Sequence, residues 1–185
     1  MPAALPAEFA CETNGVACLV LDFGSGSLKA GFSNQDLPII EIPSLVGLTD
    51  QQKVPSFGHD ALEASSLLKP IQRGRIKEPE ALESLINFVL NTKLGITELK
   101  QPVLCVISPV LSLSSRTRLV EILFEKFKAP SVALLSSAVS ALFSTGETTG
   151  LVVEVGDGVA VAVAGGVAAE GARYVEENAI QSHMY

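Results

Sequence analysis

Leu19-Val20-Leu21-Asp22-Phe23-Gly24-Ser25-Gly26 and Val152-Val153-Glu154-Val155-Gly156-Asp157-Gly158 share one plan, and that plan decides the fold. Each opens as an apolar run of the kind that suits a strand buried on both faces. An acid, Asp22 or Glu154, stands near its end, and a Gly-x-Gly turn follows. A second apolar run then returns, over residues 28–33 in one case and 159–164 in the other. Strand, glycine-bearing turn and strand make a hairpin. Glycines at a hairpin tip let backbone N–H groups come close to an anion. The strand-end acid can hold a hydrated divalent cation, directly or through water. Lys29, on the first return strand, can reach a phosphate as a point charge. Two such tips facing each other would grip a polyphosphate from both sides. Taken singly, each tip also reads as an ordinary tight turn, each acid as a turn former and Lys29 as a surface lysine; it is the repetition that favours phosphate. The pattern is not a P-loop, since no Gly-Lys-Ser/Thr opens a helix. Nor is it a dinucleotide fingerprint, because a strand rather than a helix follows the glycines.

The rest of the chain fills in around the hairpins. Residues 1–15, with two prolines and small side chains, read as a flexible leader. Residues 34–77 are rich in Pro, Asp, Gln and Ser; they predict short strands at 39–42 and 44–47, and otherwise loop with one short helix around 61–68. Pro79 suits the first position of a helix, and Leu82, Leu85, Ile86, Val89 and Leu90 recur from it at helical spacing as far as Leu94. Pro102 opens a second core strand over residues 103–107. Ser112, Ser114 and Ser115 compete as N-caps for a helix carrying Leu119, Ile122, Leu123 and Phe127 on one face. Another helical segment begins near Ser136 and closes at Gly146. The tail, 172–185, is polar and reads as a short helix. Strand pair, helix, strand, helix, helix, strand pair is the order of an α/β layer arrangement with a mixed sheet.

Composition narrows the function classes. Of 185 residues, 48% are hydrophobic, enough to build a core and too many for a disordered chain. No apolar run reaches the roughly 18 residues that cross a bilayer, and the start has neither the basic nor the apolar region of a secretory signal. The net charge of −7 argues against nucleic acid as a partner. The one dense basic cluster, Arg73, Arg75 and Lys77, reads as a solvated loop. Cys11, Cys18 and Cys105 are odd in number and lack metal-ligand spacing, so they read as reduced thiols. His59 and His183 stand far apart, and a zinc site is not expected.

At this point the sequence resembles the actin and actin-related family. Leu-Asp-Phe-Gly-Ser-Gly-Ser-Leu-Lys-Ala-Gly-Phe at 21–32 is similar to the family's first phosphate loop, and Pro43-Ser44-Leu45-Val46-Gly47 to the segment after it. Pro70-Ile71-Gln72-Arg73-Gly74 resembles the segment before the first long helix, and Pro102-Val103-Leu104 with residues 116–127 the next strand and helix. Thr148-Thr149-Gly150-Leu151-Val152-Val153-Glu154-Val155-Gly156-Asp157-Gly158-Val159 resembles the second phosphate loop. The match runs in order over residues 17–171. It implies an actin-like ATPase fold, with a ribonuclease H-like mixed sheet and flanking helices, as a single lobe over 16–171. It implies ATP or ADP with magnesium as the cofactor. Phosphate contacts would come from Gly24, Ser25, Gly26 and Lys29, and from Gly156, Asp157, Gly158 and Val159. Asp22, Glu154 and Asp157 would stand near a magnesium or calcium ion, held through water.

Several departures from the family pattern bear on chemistry. The family's water-orienting glutamine has Ser137 in its place, and water positioning is a large part of phosphoryl-transfer catalysis. Glu154 stands where aspartate is usual, and its extra methylene carries the carboxylate about 1.5 Å further. Phe23 brings apolar bulk to the first loop, and Val106-Ile107 replaces a polar pair at the end of the central strand. Residues 47–70 are short for the family's outer subdomain and its filament-contact loop. The chain also stops before the family's second lobe, which is expected to leave the strand at 159–164 uncovered as a partner surface. No catalytic residue is therefore expected. The reading is a divergent actin-related scaffold subunit of a cytoskeletal or other multiprotein assembly, with lost or weak ATPase activity and protein partners, in the cytoplasm and cytoskeleton, with a cilium or the nucleus as further locations. The alternative is an ATP-binding actin-like protein completed by a partner or second lobe.

Overall fold

A computed structural model describes residues 17–49, 52–166 and 173–175. β1 (Leu19–Phe23) turns back as β2 (Ser27–Phe32), and β3 (Ile40–Pro43) follows. β4 (Val46–Thr49), β5 (Gln52–Phe57), a 3-10 turn at Gly58–Glu63 and β6 (Ser66–Leu68) form a small unit, followed by the two-stranded ribbon β7 (Ile71–Gln72) and β8 (Arg75–Ile76). α1 (Pro79–Asn87) runs on in wider turns through Phe88–Lys93. Then come β9 (Val103–Ile107), α2 (Leu113–Glu121) with wider turns through Ile122–Lys126, β10 (Val132–Ser136), α3 (Ser137–Ser144), β11 (Thr149–Val155), β12 (Ala160–Gly166) and β13 (Arg173–Val175).

The central sheet has the order β10-β9-β1-β2-β3. β1, β9 and β10 run parallel, and β2 and β3 antiparallel. This is the mixed sheet of an actin-like fold, and its parallel pairs are joined by the α1 and α2 crossovers, as parallel pairing requires. β1 and β9 alternate buried and half-buried residues rather than being sealed on both sides. Leu19, Leu21 and Phe23 face inward beside Val103, Cys105 and Ile107. The apolar stripes of the helices close on them: Leu82, Leu85, Ile86, Val89 and Leu90 from the first, Leu119, Ile122 and Leu123 from the second, all in one core. Pro79 sits in the first turn of α1. Of the three candidate N-caps of α2, Ser112 does the work, its hydroxyl accepting from Ser115 N–H at 3.2 Å.

Several expectations need correcting. The second hairpin does not join the central sheet; β11, β12 and β13 make a separate three-stranded sheet. α3 lies between the two, touching β9, β10 and β11. Residues 34–77 hold more strand than their polarity predicts. Instead of a helix at 61–68 there is the 3-10 turn and then β6, and β5-β4-β6 is a sheet of its own. β10 was not expected at all. In the tail, residues 173–175 are strand rather than helix, paired with β12; the remainder of the tail and the leader, with Cys11 and His183, lie outside the described residues. Phe23 is the last residue of β1 rather than part of the turn; it is only 6% exposed and packs in the core while also lining the cleft between the hairpins. The uncovered apolar face is on β11 rather than on β12. Leu151, Val153 and Val155 are 68%, 65% and 82% exposed and alternate along one side of the strand, whereas Val163 on β12 is buried.

Candidate functional site

Both hairpins end in the same way. Gly24 N–H donates to Ser27 O at 3.1 Å, and Gly156 N–H donates to Val159 O at 2.9 Å. Each closure leaves a two-residue tip, Ser25-Gly26 or Asp157-Gly158. The amides of those four residues have no acceptor among the described residues, which is the state a backbone anion site needs.

The tips lie against each other although they belong to different sheets. A Cβ on Gly26 would fall 2.9 Å from Asp157 Cβ, and a Cβ on Gly158 would fall 2.9 Å from both Ser25 Oγ and Arg73 N. The absence of a side chain at these two glycines is what lets the hairpins meet. The β7–β8 turn forms the floor. Arg73 and Gly74 take left-handed φ values of 50° and 65°, and Gly74 N–H donates to Ser25 Oγ at 3.4 Å. Ser44, 1% exposed, braces the first tip twice: its Oγ donates to Gly24 O at 2.8 Å and its N–H to Gly26 O at 2.9 Å.

A cleft of about 420 Å³ runs between the hairpins, within the usual range for a small-molecule site. The first hairpin lines it with Asp22, Gly24, Ser25, Gly26 and Lys29. The second contributes Glu154, Gly156, Asp157, Gly158 and Val159, and the start of α3 contributes Ser137. The phosphate and cation candidates, together with Ser137, thus all line one cavity. Ser27, Gly74 and Ser108 also line it and were not singled out. Val106 lies opposite Asp22 in the β1–β9 ladder, while Ile107 is core.

The polar groups of the cleft are bonded to one another. Ser137 Oγ donates to Glu154 Oε2 at 2.7 Å, a charge-assisted hydrogen bond. Asp22, Lys29 and Glu41 stand directly opposite one another on β1, β2 and β3. Lys29 Nζ is 3.8 Å from Asp22 Oδ2 and 3.7 Å from Glu41 Oε1. Burial pushes the Asp22 carboxyl above its ordinary value of 3.8; the Lys29 ammonium pulls it down and Glu41 pushes it up. A raised carboxyl favours the folded state most below that ordinary value, and the benefit is lost as pH climbs through the raised one. An ionised Asp22 is therefore held at some expense to the fold, a pattern common at functional sites. Among the described residues no three His, Cys, Asp or Glu side chains gather closely enough to hold a metal ion. Cys18 and Cys105 are both buried, and burial first, then Cys18, pushes the Cys105 thiol far above the thiol range, so it is no nucleophile. No helix among the described residues is long and apolar enough to cross a membrane.

Two matching hairpins whose tips meet agree with the comparison to known families: the family model described as Actin matches residues 13–171. The chain belongs to the actin family. It is 33% identical over 159 residues to the actin-like protein of Neurospora crassa, covering 80% of this chain and 42% of that protein. It is also 33% identical over 152 residues to centractin of Saccharomyces cerevisiae, covering 76% of this chain and 40% of that one. The chain thus spans about two fifths of either relative's length. Within this cleft Ser137 is tied to Glu154, and Lys29 to two acids.

Proposed function

We propose that this chain is a divergent actin-related structural subunit of a larger cytoskeletal assembly in the cytoplasm, with a nucleotide cleft that does not turn over ATP. The observation that carries this reading is the 2.7 Å Ser137–Glu154 hydrogen bond. Ser137 occupies the place that the resemblance gives to a water-orienting glutamine. Its short side chain spends its hydroxyl hydrogen on a carboxylate of the protein itself. The longer Glu154 reaches back to make that bond, so neither side chain is left to align an attacking water. The exposed face of Leu151, Val153 and Val155 supports a role in protein assembly, since aligned exposed apolar side chains mark partner surfaces.

One observation favours the second reading, a nucleotide-binding protein completed by further polypeptide. The four tip amides and the cleft between them fit a phosphate chain. Ser25, Gly26, Asp157 and Gly158 would hold it through their N–H groups, and a bound magnesium ion would offset its charge, with Asp22, Glu154 and Asp157 reached through water. The two readings separate on phosphate release from Mg·ATP under single-turnover conditions. The expected result is release at the rate of the buffer blank. Release clearly above the blank that is lost in Lys29→Ala would replace the first reading with the second.

A further inference from the structure

We infer that Glu41 sets the ligand preference of the cleft, by occupying the two side chains of the first hairpin that would otherwise meet an incoming phosphate. The inference rests on the reading of the cleft as a phosphate site. Glu41 is not part of the cleft lining; it stands on β3, one strand behind β2. Yet Lys29 and Ser27, which do line the cleft, are both bonded to it. Its Oε1 accepts from Ser27 Oγ at 3.1 Å and lies 3.7 Å from Lys29 Nζ. The β2–β3 register makes both contacts possible by setting Glu41 directly opposite Lys29.

The charge balance gives the same direction. Without Glu41, Lys29 would face one carboxylate, Asp22, and could turn its ammonium to a phosphate oxygen. With Glu41, one ammonium serves two carboxylates, and a bound anion has to displace one of them. Glu41 also adds a negative charge close to any phosphate that Lys29 could reach, which weakens binding further. The arrangement contributes little to the fold. The Glu41 and Lys29 side chains are 58% and 39% exposed, and solvent screens pairs this open. Glu41 therefore acts as an internal competitor for the phosphate-facing lysine, and the cleft takes nucleotide weakly because of it.

Equilibrium dialysis of labelled Mg·ATP against the full chain tests this, with Glu41→Gln, Lys29→Ala and the double variant at fixed ionic strength. Glutamine keeps the shape and the hydrogen bond from Ser27, and at an exposed position it leaves the fold intact. The expected result is that Glu41→Gln binds about five- to tenfold more tightly than wild type, the sum of a released ion pair and a removed repulsion. That gain should vanish when Lys29 is already alanine, because the two changes act through one contact. Equal affinity of Glu41→Gln and wild type, no measurable binding by Glu41→Gln, or an undiminished gain in the Lys29→Ala background would each overturn the inference. Should Lys29→Ala leave the affinity of both wild type and Glu41→Gln unchanged, the phosphate reading of the cleft itself fails. A Lys29→Ala loss with no Glu41 effect removes only the inference.

Discussion

Gly158→Val is expected to push the two hairpin tips apart and to lower stability by about 1–3 kcal/mol, the usual range for overpacking a tight contact. A Cβ at this position meets Arg73 N and Ser25 Oγ at 2.9 Å and Ser25 Cβ at 3.0 Å. Arg73 offers backbone rather than a flexible side-chain end, and its turn already holds two residues at left-handed φ. A non-glycine residue in that region has few other conformations available. The floor therefore cannot yield cheaply, and the second hairpin must lift. In a chain of this size each kcal/mol corresponds to about 2–4 °C in Tm. Thermal unfolding should show a loss of several degrees. Hydrogen exchange should quicken at Gly74, whose N–H donates to the Ser25 Oγ that the new side chain displaces, while β9 stays protected. Unchanged exchange at Gly74 would mean that the hairpins do not touch in solution.

Leu85→Ala should destabilise the chain by about 3 kcal/mol, within the usual span for emptying a buried leucine site. Leu85 is fully buried where α1 lies on the central sheet, among Leu82, Ile86 and Val89. Each neighbour is itself fixed by packing, so the cavity cannot collapse. The loss is a large share of the roughly 5–15 kcal/mol that holds a domain folded. Leu113→Ala is the control. Leu113 opens α2 but is 80% exposed, and its removal should change stability by no more than about 0.5 kcal/mol. Denaturant unfolding measures both. Equal losses would show that the helical spacing was assigned to the wrong face.

That spacing was legible because it is local. The apolar repeat after Pro79 and the run after Pro102 each fix an element from their own letters. β10 was hidden because Val132-Ala133-Leu134-Leu135-Ser136 runs into α3 with no turn residue between them. β5 and β6 were hidden, and β4 was read only in part at 44–47, because their strand character comes from pairing with one another rather than from an apolar pattern. The sheet that a hairpin joins is a long-range matter too, which is why nothing around Gly156 revealed that β11 and β12 leave the central sheet.

The site divides along the same line. Both glycine tips could be read from composition and order alone. Their contact could not, since it depends on two sheets meeting. Ser137 and Glu154 were each noticed as departures, but the bond between them spans 17 residues and exists only once α3 and β11 pack. Glu41 gave no signal, because only the β2–β3 register sets it opposite Lys29. Ser44 was noticed as part of a family-like segment, while its double bond to the first tip follows from how β3 ends beside that tip.

Amide chemical shifts followed through a titration of the full chain with Mg·ATP bear most directly on whether both hairpins close on one cleft. Ser25 and Gly26 should move together with Asp157 and Gly158, along one shared binding curve, with β4, β5 and β6 silent. Movement at one hairpin alone, or separate curves for the two, would contradict a single cleft formed by both.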